Sequence, residues 1–447
     1  MTGLAGRRPK RVVIAGAGIA GLTAALSLHA AGITDVTVHE AVKEIRPLGV
    51  GINLLPHAVR ELIELGLGDR LARVGVETAD LTFVTRRGQR IWTEPRGRAA
   101  GHAWPQYSIH RGRLQLLLLD AVRERLGPDA VVTGSPVTGL DHDADLLVGA
   151  DGIRSGVRAA LFPGEGEPLW GGHVLWRGTS RARPFLTGRS MIMAGDGTQK
   201  IVIYPIAPPD PDGTQLVNWA IQHRAPETVP RGDWNREVEI GKFLHHVADV
   251  RSDALDIPGL IASADKAYEY PLVDRDPLPY WSSGTVTLMG DAAHPMYPTG
   301  SNGGTQAVID ARVLAHALAT GQGLEFYESR RRPVTNRIVL ANREDGPEVV
   351  LRLVHERAPD GFADIEEVIP RDTLEKIALH YKQLAGFEPA TLNARPSWSV
   401  PPDARQGPVP SDAGHEPVPL NAGHESVPLN AGHESVPLNA GQADGAS

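Results

Sequence analysis

Three stretches of the chain hold residues whose types and spacing suit a phosphorylated, ring-bearing cofactor. The first is Gly16-Ala-Gly18-Ile-Ala-Gly21. Glycines at this spacing make a tight turn, let the backbone approach a pyrophosphate, and let a helix pack closely on a strand. The helix that follows offers free N–H groups and a positive dipole end to phosphate. Glu40 lies 24 positions after Gly16; a carboxylate there can accept hydrogen bonds from ribose hydroxyls, the alternative being a solvated strand-end charge. The second stretch runs Gly149-Ala-Asp151-Gly152-Ile-Arg154-Ser155-Gly-Val-Arg158. The third is Leu288-Met-Gly290-Asp291, followed by a Pro/Gly-rich loop through Met296, Pro298 and Gly300 to Gly304. Asp291 suits a ribityl hydroxyl. The loop and the next helix N-terminus suit a pyrophosphate or the pyrimidine edge of a flavin, where negative charge develops on reduction.

Other chemistries find little support. The 447 residues include no cysteine, which removes disulfides, thiolate metal sites and cysteine nucleophiles. No Ser-His-Asp set, catalytic carboxylate pair or metal cluster stands out. Asp141-His142-Asp143 looks ligand-like but reads as exposed loop. A net charge of −8 opposes nucleic-acid binding, which needs a basic stripe. The stretch from Val12 to Ile33 is nearly free of charge and follows Arg7, Arg8, Lys10 and Arg11, as in a signal peptide or membrane span. Gly16, Gly18, Gly21 and His29 fit strand–turn–helix instead, so no membrane span is expected, and the location is read as cytoplasmic.

The elements that must position these residues follow from patterning. Strands are predicted at Arg11–Ala15, Asp35–His39, Leu146–Val148 and Thr285–Met289, and helices at Ala20–Ala31, Pro56–Leu65 and about 113–126. Between about 172 and 222, β-rich runs such as Lys200–Ile206 and Gln215–Ile221 alternate with Pro/Gly/Asp turns, the mark of an antiparallel sheet. Helices are predicted at about 304–320 and 323–342, with more between Pro347 and Ala385. From about Ser397 the chain is rich in Pro, Gly and Ala and holds three nonapeptide units, HEPVPLNAG once and HESVPLNAG twice. Such units bury too little to offset ordering entropy, so 397–447 is read as a disordered repeat tail.

In order and spacing, the three motifs resemble the single-component (class A) flavoprotein aromatic hydroxylases with the p-hydroxybenzoate hydroxylase fold. Within that family the chain is similar to the enzymes that hydroxylate 5-methylphenazine-1-carboxylate. The resemblance spans about residues 10–345 and is carried also by Glu44–Asn53, Pro105–Leu114, Tyr270–Pro279, Arg330–Pro333 and Ala341–Arg343. It implies an α/β fold, with a Rossmann-like FAD-binding domain (1–80, 101–165, 281–345) interleaved with an antiparallel β-sheet substrate domain (81–100, 166–280). C-terminal helices (346–396) and the tail would follow. It also implies that Gly16, Gly18, Gly21 and Glu40 hold the ADP half of FAD, and that Arg111 reaches the pyrophosphate. Asp151 and Arg158 would serve FAD and transient NAD(P)H contact. Asp291 would hold the ribityl chain, with Val50, Gly51, Pro298 and Gly300 beside the flavin ring. For either arginine the plain alternative is a surface ion pair. One departure is visible: family members carry a longer β-hairpin where only Thr133–Asp145 connect two strands here.

The implied reaction consumes NADH or NADPH and O₂ and hydroxylates an aromatic or heteroaromatic small molecule through a flavin C4a-hydroperoxide, with or without loss of a ring carboxylate, in secondary metabolism. The flavin performs the chemistry, so no protein catalytic set is assigned. The single glycine fingerprint leaves no separate nicotinamide domain. Epoxidation or N-oxygenation on the same platform, a flavin reductase or dehydrogenase, and a non-catalytic flavin module remain alternatives at this stage. Candidate pocket residues are Trp176, Tyr204, Trp219 and Met296, the tryptophans being equally suited to sheet core. Arg177 suits a substrate carboxylate or a surface ion pair.

Overall fold

The computed structural model describes residues 7–225 and 236–400. Its first layer is a six-stranded sheet, in the order Ser282–Ser283, Val286–Leu288, Leu146–Gly149, Arg11–Ala15, Asp35–Glu40, Val131–Thr133. All pairs are parallel except the short edge Ser282–Ser283. Helices cover the sheet, so its central strands read as unbroken apolar runs: Val12, Ile14, Ala15, Leu146, Leu147 and Val148 are all buried. Helix Ile19–Ala30 is buried along Ala20–Leu28, because it lies between this sheet and helix Gly303–Ala319. No strand occupies 134–145, so the short connection leaves Val131–Thr133 as the edge.

The second layer is an eight-stranded sheet, ordered Arg236–Val238, Ala267–Asp274, Leu169–Ala182, Gln215–Arg224, Gln199–Pro205, Ser190–Gly195, Asp80–Thr85, Arg90–Pro95. It is antiparallel except where Ser190–Gly195 runs parallel to Asp80–Thr85. Its two faces belong to different cores, as period-two alternation requires. Trp176, Ile192, Ile201, Ile203, Trp219 and Ile221 point one way, toward Phe243 and Ile257. Leu81, Phe83, Met191, Met193 and Tyr204 point the other, toward Val350, Leu351 and Leu374.

A small third sheet, Gly51–Leu54, Tyr107–His110 and Gly75–Glu77, meets the eight-stranded sheet where Gly51 N–H donates to Asn218 Oδ1 (2.7 Å). Helices Gly323–Arg343, Val349–Arg357, Arg371–Leu384 and Pro389–Ala394 close the chain. The expected boundary at 397 needs correction. Trp398 and Val400 pack on the core of the parallel sheet, and the Trp398 N–H reaches both oxygens of buried Glu61 (3.2 Å). The rest of the expected disordered tail lies outside the described residues.

Candidate active site

The glycine turn opens where the first strand ends. Gly16 has φ +98°, and a Cβ there would sit 2.5 Å from the Ala150 carbonyl oxygen. A Cβ on Gly21 would lie 2.0 Å from Gly16 O. These two glycines are demanded by the protein's own packing. Gly18 differs: a Cβ there would meet nothing within 4 Å. Gly18 is also the N-cap of helix Ile19–Ala30 and provides no side-chain cap. Free space beside uncapped first-turn amides is what an approaching phosphate needs. Glu40, half-buried, accepts from Ala17 N–H (2.8 Å) through one oxygen and from Val42 N–H (3.0 Å) through the other. This fixes the carboxylate beside the turn, with lone pairs to spare for hydroxyl donors.

Arg111 starts helix Arg111–Leu126, and its N–H donates to Val50 O (2.9 Å). The His110 imidazole caps that helix by accepting from Gly112 and Arg113 N–H groups (3.2 and 3.4 Å). Burial and then the Arg113 charge lower the His110 pKa, which keeps the accepting nitrogen unprotonated. The Arg111 stem passes Gly49, whose missing side chain leaves room for it (Cδ at 3.6 Å from the Cβ position). Its guanidinium is exposed.

Asp291 follows strand Val286–Leu288 and a left-handed Gly290 (φ +56°). Gly290 N–H donates to Asp310 Oδ2 (2.9 Å). His294 Nε2 lies 2.6 Å from the same oxygen, and Arg331 Nε donates to the other at 2.7 Å. Burial alone would raise the Asp310 pKa, but the His294 and Arg331 charges and hydrogen bonds prevail and bring it to about 2. Asp291 itself is exposed, yet the surrounding protein desolvates it and raises its pKa, partly offset by His294 and Arg111. Gly290 packs against the first helix, with its Cβ position 2.8 Å from Ala20 Cβ, and the Asp291 Oδ1 lies 4.0 Å from the Cβ position of Gly303, so the third motif meets the first. The Arg111 charge acts on Asp291 although the two stand 180 positions apart in the sequence.

Asp151 and Arg158 turn to partners within the protein. Asp151 accepts from Ser155 Oγ (2.5 Å) and Gly156 N–H (2.7 Å), capping helix Gly156–Leu161. Arg158 is 1% exposed. It pairs with Glu165 and donates to Ala292 O and Ala293 O (3.0 Å each). The surface-ion-pair alternative also misses its place: Arg158 is a buried brace for the segment carrying Asp291. Asp141 to Asp143 lie in the connection, with Asp143 fully exposed in a pair with Arg11. Among the described residues no group of His, Asp and Glu could hold a metal, and no helix is long and apolar enough to cross a membrane.

A cavity lies between the eight-stranded sheet, the Pro298–Ser301 loop and helix Arg371–Leu384. Pro298 and Gly300 border it. Gly300 has φ +65°, and a Cβ there would collide with the Tyr381 hydroxyl at 2.1 Å. Gly51 N–H is held by Asn218 Oδ1, and its carbonyl accepts from Arg177 Nη2 (2.7 Å); Val50 is buried beside it. Of the four pocket candidates, only Tyr204 lines the cavity. Burial raises its pKa to about 12, partly offset by Arg177. Trp176 and Trp219 lie one residue out of phase on their strands. They face the outer core, where Trp176 stacks on Phe243 (5.0 Å) and Trp219 Nε1–H donates to Ser180 Oγ (3.1 Å). Met296 packs in the cluster around Leu55 and Phe387. Arg177 is neither a surface pair nor free; it lines the cavity and ties Gly51 to the sheet. Sequence reasoning missed Glu94, Arg96, Tyr381, Lys382 and Phe387, which also line it. The only available signal was the apolar face of helix 371–384, which carries no chemistry-bearing motif.

Comparisons with known proteins bear on the family and the fold. A family model described as "FAD binding domain" matches residues 233–342. The chain is 45% identical over 362 residues to a phenazine 1,6-dicarboxylic acid hydroxylase, PhzS, of Lysobacter antibioticus, covering 74% of this chain and 89% of that protein. It is 33% identical to 3-amino-4-hydroxybenzoate 2-monooxygenase PtmB3 of Streptomyces platensis, covering 88% of this chain and all of that one. The fold matches a point variant of Klebsiella pneumoniae HpxO complexed with FAD, with a TM-score of 0.67 at 23% identity, over 85% of this chain and 100% of that one. With relatives of this identity and coverage, the chain belongs to the FAD-dependent aromatic hydroxylases, the class A flavoprotein monooxygenases.

Proposed function

We propose that this enzyme hydroxylates a planar heteroaromatic carboxylic acid of the phenazine type, and that the residues around Gly18, Arg111 and Asp291 hold its FAD. The bound flavin supplies electron transfer from NAD(P)H and activation of O₂; the chain supplies position and dryness. In this reading Gly16 and Gly21 shape the turn, Gly18 leaves room for the pyrophosphate, and Glu40 accepts from the adenosine ribose. The Arg111 guanidinium neutralises phosphate charge, and the Asp291 carboxylate accepts from ribityl hydroxyls. Val50, Gly51, Pro298 and Gly300 lie against the ring. Arg158 acts one step back, by fixing the backbone just after the Gly-Asp turn, and Asp151 by ordering the Asp151–Val157 turn and helix start from which Arg158 projects.

The observation that carries this reading is that the first and third motifs meet: Gly290 packs on Ala20 of the first helix, which brings exposed Asp291 toward the uncapped helix start at Gly18. The heteroaromatic assignment rests on 45% identity to the phenazine hydroxylase and on the apolar sheet face at the cavity, with Leu81, Phe83, Met191 and Met193. Those side chains exclude water from the reacting ring and flavin, which suppresses unproductive loss of activated oxygen. Operation in the cytoplasm, where NAD(P)H is at hand, belongs to the same reading, as does the division of the chain into alternating cofactor and substrate segments.

The test is direct. The purified protein should be yellow with bound FAD, and phenazine-1-carboxylate should stimulate its NAD(P)H oxidation. Product mass should rise by one oxygen, or show oxygen gained and CO₂ lost. Bound flavin without stimulation by any phenazine carboxylate would defeat the substrate assignment. Protein that takes up no flavin would defeat the site assignment.

A further inference from the structure

The cavity wall carries an unbalanced charge group. Glu94, on strand Arg90–Pro95, is 3% exposed. Arg96 Nη2 donates to its Oε2 at 2.7 Å. Lys382 Nζ, from the last turn of helix Arg371–Leu384, stands 2.6 Å from its Oε1, an ion-pair contact outside hydrogen-bond directions. Arg96 alone would neutralise Glu94, so Lys382 leaves the group with one positive charge in excess. Arg96 Nε is buried without a partner. All three side chains line the cavity beside Leu81 and Phe83, where a surplus charge is costly unless an anion meets it. The other ion pair on the cavity, Lys200 with Glu348, is balanced one to one. Arg177 also lines the cavity and its Nε is likewise buried without a partner, but its Nη2 is tied to the Gly51 carbonyl and its charge is set against Tyr204.

Resting on the heteroaromatic carboxylate reading above, we infer that Arg96 and Lys382 are specificity-determining residues that receive the substrate's carboxylate. Glu94 orients both cations, through a hydrogen bond from Arg96 and an ion pair with Lys382, and an incoming carboxylate takes the remaining N–H donors of the two, Arg96 Nε among them. Specificity for an acidic ring then depends on the C-terminal helix that brings Lys382, 288 positions from Glu94, to the cavity.

Lys382→Met isolates this role, because it leaves Glu94 and Arg96 as a balanced pair and exposes no buried charge. The probes are phenazine-1-carboxylate and unsubstituted phenazine, titrated into FAD-loaded enzyme and followed by the flavin absorbance change, with melting temperature recorded for each variant. Wild type should prefer the carboxylate. Lys382→Met should weaken the carboxylate about 10-fold or more, the range of one charge-assisted hydrogen bond, and leave phenazine unchanged; Lys382→Arg should keep the preference. Equal weakening of both probes, no weakening of either, or a wild type that binds both equally would overturn the inference while leaving the proposed hydroxylase intact. Wild-type enzyme that holds FAD but binds neither probe would remove the heteroaromatic reading, and this inference with it.

Discussion

At the residue scale, the three glycines of the first motif have separable roles. A side chain on Gly21 meets Gly16 O, whereas one on Gly18 meets open space. Gly21→Ala should therefore destabilise the apoprotein, by about 1–3 kcal/mol as overpacking does. Gly18→Val should leave the apoprotein's melting temperature near wild type yet strip FAD from the purified protein. Thermal melts of apoprotein with flavin absorbance ratios separate the two; a Gly18→Val protein with full flavin would remove the pyrophosphate from that space. Asp291→Ala should likewise yield colourless, folded protein. Full flavin retention with normal turnover would show that the carboxylate does not hold the cofactor.

At the element scale, Asp310 joins three pieces of chain: the Gly290 turn, helix Gly303–Ala319 and helix Gly323–Arg343. Its pKa of about 2 lies below an unfolded aspartate's value near ~3.9. The stabilisation is therefore complete above about pH 4 and is lost as pH falls toward 2. Asp310→Asn should cost about 3–5 kcal/mol, because it leaves Arg331 buried without its charge partner. It should also flatten this acid limb; chemical denaturation at pH 7 and pH 3 measures both. A variant as stable as wild type at pH 7 would show that the network is not the staple described here. The element scale is also where the structure chose between two open sequence readings, placing both tryptophans in the sheet core. Trp176 and Trp219 were legible as strand residues, but which face they occupied depends on register, and one residue of phase moves a side chain to the opposite core.

At the scale of the whole molecule, the packed body extends past the C-terminal helices to Val400. Trp398 meets His316 and Phe326 edge-on and joins the first core. Ending the chain after Pro396 should lower stability by about 3 kcal/mol, the order of one large buried side chain, whereas ending it after Val400 keeps these contacts. Equal melting temperatures for the two truncations would show that the Ser397–Val400 segment adds nothing.

The sequence alone determined the strand–turn–helix start, the acidic end of the second strand and the Gly-Asp turn before the Pro/Gly-rich loop. Each is local: glycine's φ, a strand's apolar run and a helix N-terminus depend on neighbours in the chain. Tertiary structure decided what local physics leaves open. It turned Asp151 and Arg158 inward as braces, chose Tyr204 over the tryptophans for the cavity, and brought Lys382 beside Glu94. Those outcomes depend on sheet register and on helices docking across hundreds of positions, where burial and charge pairing act between residues that share no sequence pattern.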